Sequence, residues 1–158
     1  MNVSQEVLSQ LLSATEEVFE TMVFKPVERE DPIEDDAVRP KSNVVATVAF
    51  AGHRRGLVAF HSTLGTARSI AGAMLGMPAE EINGEMPDAI GEIANMIAGS
   101  FRTKLATSEP ASAIAVPTVT IGSDFSTRCV NDVNRVLCPF KLEGEPIYVE
   151  LILTGEPN

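Results

Sequence analysis

Asp88, Glu92 and Asn95 stand four and three residues apart in the stretch Asp88-Ala-Ile-Gly-Glu92-Ile-Ala-Asn95-Met-Ile-Ala-Gly99-Ser-Phe-Arg102. On a helix turning about 100° per residue they share one face, within an arc of roughly 60°. Gly99 continues the row one turn on, and Arg102 sits at its edge. An exposed carboxylate in such a row is an acceptor for a partner's cationic side chain. A carboxamide both donates and accepts hydrogen bonds, so it can hold a water molecule in a chosen orientation. Two carboxylates one turn apart can in principle bind a metal, but no histidine supports them. Nor do they suit sugar hydrolysis, where the carboxylates face each other across a scissile bond. The default reading of such a face is plain solvation. Gly99 weighs against it: glycine costs about 1 kcal/mol in a helix interior, so something is expected to approach closely there.

The helix carrying this row has its own logic. Ile90, Ile93, Ala94, Ile97 and Phe101 form the opposite stripe, that of a helix packed on a core. Pro87 and Asp88 suit its first turn. Before it, Ser4 to about Phe24 predicts an amphipathic helix with Val7, Leu8, Leu11, Leu12, Thr15, Val18, Phe19 and Met22 inward, stopped by Pro26. Residues 27–42 are acidic, proline-containing and without periodicity, and predict a surface loop. Its part from Glu28 to Asp36 is expected to be mobile and dispensable for folding, because its charges self-repel and it has little apolar surface to bury.

Asn43–Phe50 and Leu57–His61 predict a hairpin around Ala51–Gly56. Ser62 or Thr63 can cap a second helix that runs to Leu75 and stops at Gly76. Beyond Lys104 the chain predicts strands over Ala111–Val116, Pro117–Gly122 and Thr127–Asn131. A final hairpin, Asn134–Leu142 with Pro146–Thr154, turns at Glu143-Gly144-Glu145. The expected fold is α+β: one domain over 1–158, two layers, about three helices on a mixed, mostly antiparallel sheet of about six strands.

Composition narrows the function. The net charge of −10 argues against a nucleic-acid binder, which needs a basic footprint, and against docking on anionic lipid. No apolar run is long enough to span a membrane. The opening Met-Asn-Val-Ser-Gln-Glu-Val lacks the basic and apolar regions of a secretory signal, so a cytoplasmic location is expected. Cys129 and Cys138 are expected to be free thiols. His53 and His61 lack partners at catalytic spacing and are expected to be structural or solvent-facing. The span Gly65–Gly76 has no Lys-Ser/Thr sequel, so no phosphate-binding loop is present. No Ser-His-Asp, zinc or dinucleotide signature is found either.

The central helix resembles the active helix of the CheC/CheX/FliY family of chemotaxis phosphatases, whose pattern is Asp or Ser, then Glu, then Asn, and a later Pro. Asp88, Glu92 and Asn95 match, and Pro117 follows one residue short of the family's spacing. Gly91-Glu-Ile-Ala-Asn-Met-Ile-Ala-Gly99, Phe19-Glu-Thr-Met22 and Pro117-Thr-Val-Thr-Ile-Gly122 are similar to CheX. A second Glu-x-x-Asn, Glu80 to Asn83, falls in a connector by chance. The resemblance implies hydrolysis of the aspartyl phosphate of a CheY-like response regulator. It gives Glu92 the role of pairing with a lysine of the regulator and Asn95 that of positioning the attacking water. It places Asp88, Met96, Gly99 and Arg102 at the partner surface. It also implies a homodimer, and a Mg²⁺ held by the regulator, with no cofactor bound by this chain. CheC-like relatives carry a second site on the first helix; here Glu16-Glu-Val-Phe-Glu-Thr21 has no Asn three residues after a Glu. Two other classes stay open: a receiver-binding or flagellar-switch-type module without turnover, and a scaffold whose helix face is only solvated.

Overall fold

Ser4 opens the first helix by accepting the Val7 amide on its hydroxyl at 3.2 Å. The computed structural model of the protein describes residues 3–106, 112–123, 125–128 and 133–154. Helix α1 spans Gln5–Val18 and widens into a π turn over Phe19–Val23. Phe24 then takes a left-handed conformation (φ 61°) and ends it, ahead of Pro26. Helix α2, Leu64–Leu75, is capped by Thr63 rather than Ser62 and closed by left-handed Gly76. Helix α3, Met86–Leu105, starts with Pro87 in its first turn and has Arg102 and Lys104 in its last, as the helix dipole favours.

The strands are β1 (Glu28–Arg29), β2 (Val44–Ala51), β3 (Arg55–Ser62), β4 (Ala113–Ile114), β5 (Thr118–Ile121), β6 (Val133–Leu142) and β7 (Glu145–Thr154). They form one seven-stranded sheet in the order β1-β6-β7-β3-β2-β4, with β5 also on β2. Every pairing among the described residues is antiparallel. The β6–β7 hairpin turns at Glu143 (φ 51°) and Gly144 (φ 81°), the paired positive φ of a two-residue hairpin loop. The strand expected over Thr127–Asn131 is not formed at Thr127 and Arg128; its remainder, including Cys129, lies outside the described residues.

Because side chains alternate along a strand, the sheet has two unlike faces. Val44, Ala46, Val48, Val58, Phe60, Val136, Cys138, Phe140, Val149 and Leu151 point to the helices and form the core with Leu11, Phe19, Ile70, Ile90, Ile93, Ile97 and Phe101. Cys138 is free, and burial pushes its thiol up to about 12, so it stays an inert core residue. The other face carries Arg135, Glu150 and His61 on adjacent strands, all buried. Glu150 accepts from His61 Nε2 at 3.1 Å and pairs with Arg135 Nε.

The acidic segment is tied into this second face and is paired in part with β6, where an unpaired surface loop was expected. Val27 is buried, β1 pairs with Phe140 and Lys141, and Ile33 exchanges both backbone hydrogen bonds with Leu137. Arg135 donates from Nη1 to the Asp35 carbonyl at 3.3 Å and from Nη2 to that of Val38 at 2.9 Å. Arg29 pairs with Glu16, donating from Nε at 2.9 Å. Charge repulsion is outweighed by backbone pairing that composition does not reveal. Replacing residues 28–36 with a flexible linker of equal length should therefore cost about 3 kcal/mol, from the lost backbone bonds of Glu30 and Ile33 with β6 and the loss of the Asp35 carbonyl from Arg135. In a thermal melt that is a fall of roughly 6–12 °C for a chain of this size. An unchanged melting temperature would show that the segment contributes nothing.

Candidate functional site

The stripe of α3 is buried as its periodicity requires: Ile90, Ile93, Ala94 and Ile97 are fully covered and Phe101 nearly so. The opposite row stands outward. Asp88 and Glu92 are exposed, and Asn95, Met96, Gly99 and Arg102 are partly covered. Among the described residues, Asp88, Glu92 and Asn95 make no side-chain hydrogen bond or ion pair. Their polar atoms are available to another molecule, on a helix whose inner face is fixed.

The flank of α3 next to Asn95 is walled by the chain from Ser112 to Val119. At the level of Gly91, a Cβ would lie 3.3 Å from Val119 Cγ2 and 3.8 Å from Pro117 Cβ and Cγ. At the level of Gly99, a Cβ would meet only Ile114 Cδ1 at 3.8 Å, an ordinary contact. At the C-terminal end, Arg102 Nη1 donates to the Ser112 carbonyl at 3.1 Å. This wall runs antiparallel to the helix, from Ser112 at Arg102 to Val119 at Gly91. Within the chain, another element approaches closely at Gly91, while Gly99 keeps open space beside the row apart from Ile114. A missing side chain tells that space is needed, but which strand fills it depends on where β5 lands.

Pro117 and the Glu92–Asn95 row, separate in sequence, are thus brought to one place. The tip of the wall is apolar and open, with Val116 exposed to 86%. It is held on both sides: Ala115 N donates to the Ala49 carbonyl at 2.8 Å, and β5 pairs with β2 from Thr118 to Ile121. Val116, Val119 and Gly91 are site neighbours that sequence reasoning missed; Gly91, in a helix interior directly before Glu92, was the one readable signal.

Among the described residues no group of three or more His, Cys, Asp and Glu could hold a metal ion. No helix among them is long and apolar enough to cross a membrane.

Residues 44–141 match the family model described as chemotaxis phosphatase CheX. The chain belongs to the CheX family. Among solved structures it is similar to the chemotaxis protein CheX of Desulfovibrio desulfuricans, at 28% identity and TM-score 0.85, covering 94% of this chain and 99% of that one. CheX of Vibrio vulnificus superposes at TM-score 0.86 with 24% identity, covering 94% and 99%. The Borrelia burgdorferi CheX–CheY–BeF3–Mg²⁺ complex matches at TM-score 0.79 and 21% identity, covering 94% and 98%. No curated protein matches the chain.

For a CheX-family chain, the first helix matters by what it lacks. Two of its acidic residues are engaged within the chain: Glu16 with Arg29, and Glu17 with Lys104 Nζ at 2.9 Å. They brace α1 against β1 and α3. The outward Glu-x-x-Asn row on a described helix is the one on α3.

Proposed function

We propose that this chain hydrolyses the aspartyl phosphate of a CheY-like response regulator. The observation carrying the reading is the Glu92–Asn95 row: a carboxylate and a carboxamide on one outward face, without intramolecular partners among the described residues, beside the Pro117 wall. Membership of the CheX family and the Borrelia burgdorferi CheX–CheY complex support it.

Glu92 would pair with a lysine near the regulator's phosphorylation site and hold α3 against it. Asn95 would then enter that site, and its amide would hold a water in line with the phosphorus–oxygen bond to be broken. Such positioning supplies most of the catalysis in phosphoryl transfer, where the protein does little covalent chemistry. Asp88, Met96, Gly99 and Arg102 would form the surrounding contact surface, Arg102 while also bracing Ser112. The Mg²⁺ that neutralises the phosphoryl oxygens would be held by the regulator's own acidic pocket. A cytoplasmic location follows from such a partner.

The test is the decay of a phosphorylated CheY-like receiver with and without the purified chain, alongside binding to the same receiver. Accelerated decay supports the phosphatase. Binding without acceleration makes the chain an interaction module, and neither makes it a scaffold. We further propose a homodimer, because each chain offers one Glu-x-x-Asn row and its second half is rich in strands. Light scattering at micromolar concentration should give twice the 16.9 kDa chain mass; the monomer mass would refute it.

A further inference from the structure

Gly91 lies inside α3, directly before Glu92, on the flank that faces β5. After proline, glycine is the residue least suited to a helix interior. Its presence beside the row therefore calls for a reason, and the space around it supplies one. A Cβ at this position would sit 3.3 Å from Val119 Cγ2, closer than ordinary contact allows, so the helix or the strand would have to yield by a few tenths of an ångström. The backbone is held on both sides. α3 is locked by its buried stripe, and β5 is paired with β2 over all four residues. Pro117, immediately before β5, lies within 3.8 Å of the same point.

We infer that Gly91 is a positioning residue: its missing side chain sets how closely Pro117 and β5 stand against the Glu92–Asn95 row. That distance fixes the width of the gap through which an acyl phosphate on a partner's surface reaches the Asn95 amide. The role rests on the phosphatase reading above. It adds that the spacing between helix and wall, and not the row alone, determines turnover. Orientation-dependent catalysis is sensitive on this scale, since a misplacement of about 1 Å can cost a hundredfold.

The experiment is steady-state dephosphorylation of a phosphorylated CheY-like receiver, with melting curves, for the wild type and four variants. Gly91→Ala should melt near the wild type, because alanine's preference for the helix offsets the cost of crowding Val119. Its kcat should nonetheless fall about tenfold, with KM nearly unchanged. Gly91→Ala with Val119→Ala, which removes the atom the new methyl meets, should recover most of the lost kcat. Gly65→Ala, in α2 with nothing within 4 Å of its would-be Cβ, should keep wild-type kcat. Asn95→Ala reports on the underlying reading. An active wild type with an impaired Asn95→Ala but full kcat in Gly91→Ala overturns the role of Gly91 alone. So does a loss that follows a lowered melting temperature and is not recovered by Val119→Ala. A wild type no faster than spontaneous decay overturns the phosphatase reading, and this role with it.

Discussion

Asn95→Ala should slow dephosphorylation of a CheY-like receiver by about a hundredfold or more while leaving binding of the receiver in place, the scale set by removing one preorganised polar group. Asn95 is half-covered, lies beside the wall that carries Pro117, and has no hydrogen-bond partner of its own among the described residues. Its backbone is fixed by the buried stripe of α3, and its amide is left open to a docking molecule. Removing it takes away the water's orientation but not the contact surface. Glu92 should behave differently, being fully outward and able to reach a cation on the partner. Glu92→Ala should weaken binding, and Glu92→Lys should abolish it by like-charge repulsion. Neither change touches the buried stripe, so folding should alter by about 0.5 kcal/mol or less. Full turnover in Asn95→Ala would end its catalytic assignment. Unfolding of Glu92→Ala would mean that this face of α3 supports the fold.

The contrast between these variants reflects what a sequence can disclose. The two faces of α3, the Thr63 and Gly76 caps and the Glu143-Gly144 hairpin are local, each set by residues within a turn or two. All were readable for that reason. The strand at Glu28–Arg29 was not, because nothing in a run of charges announces pairing with Phe140 and Lys141, more than a hundred residues away. The close approach of β5 to Gly91 was not foreseen for a related reason. Both glycines break the same rule of helix composition, and only the path of β5 says which one is occupied. His61 was rightly read as structural, but its partner Glu150 lies 89 residues on and is chosen by the register of β3 on β7.

Glu150→Ala should lower stability by about 3–5 kcal/mol, because it leaves a buried cation without its counter-charge. Glu150 is 4% exposed on the helix-free face, between Leu137 and Ala59 on the flanking strands. Arg135, itself only 8% exposed, uses its guanidinium both to pair with Glu150 and to hold the Asp35 and Val38 carbonyls. Losing the carboxylate therefore unsettles the acidic segment together with the cluster. For a chain of this length the fall in melting temperature should be at least about 6 °C. Substituting Arg135 by Met in the same protein should restore part of it, since an apolar pair leaves no orphaned charge. The same carboxyl predicts a pH dependence. Burial pushes it up, but the hydrogen bonds and charges of His61 and Arg135 outweigh burial and hold it below the usual glutamate range. Its stabilisation is thus complete above the ordinary glutamate value of about 4.3 and is lost as the pH falls through the lower folded-state value. Urea melts of the wild type and Glu150→Gln should show their largest difference at neutral pH, with the two converging from about pH 4 downward. A difference that stays constant through that range would mean that Glu150 gains nothing from ionisation, and that the cluster is held by shape and hydrogen bonding alone.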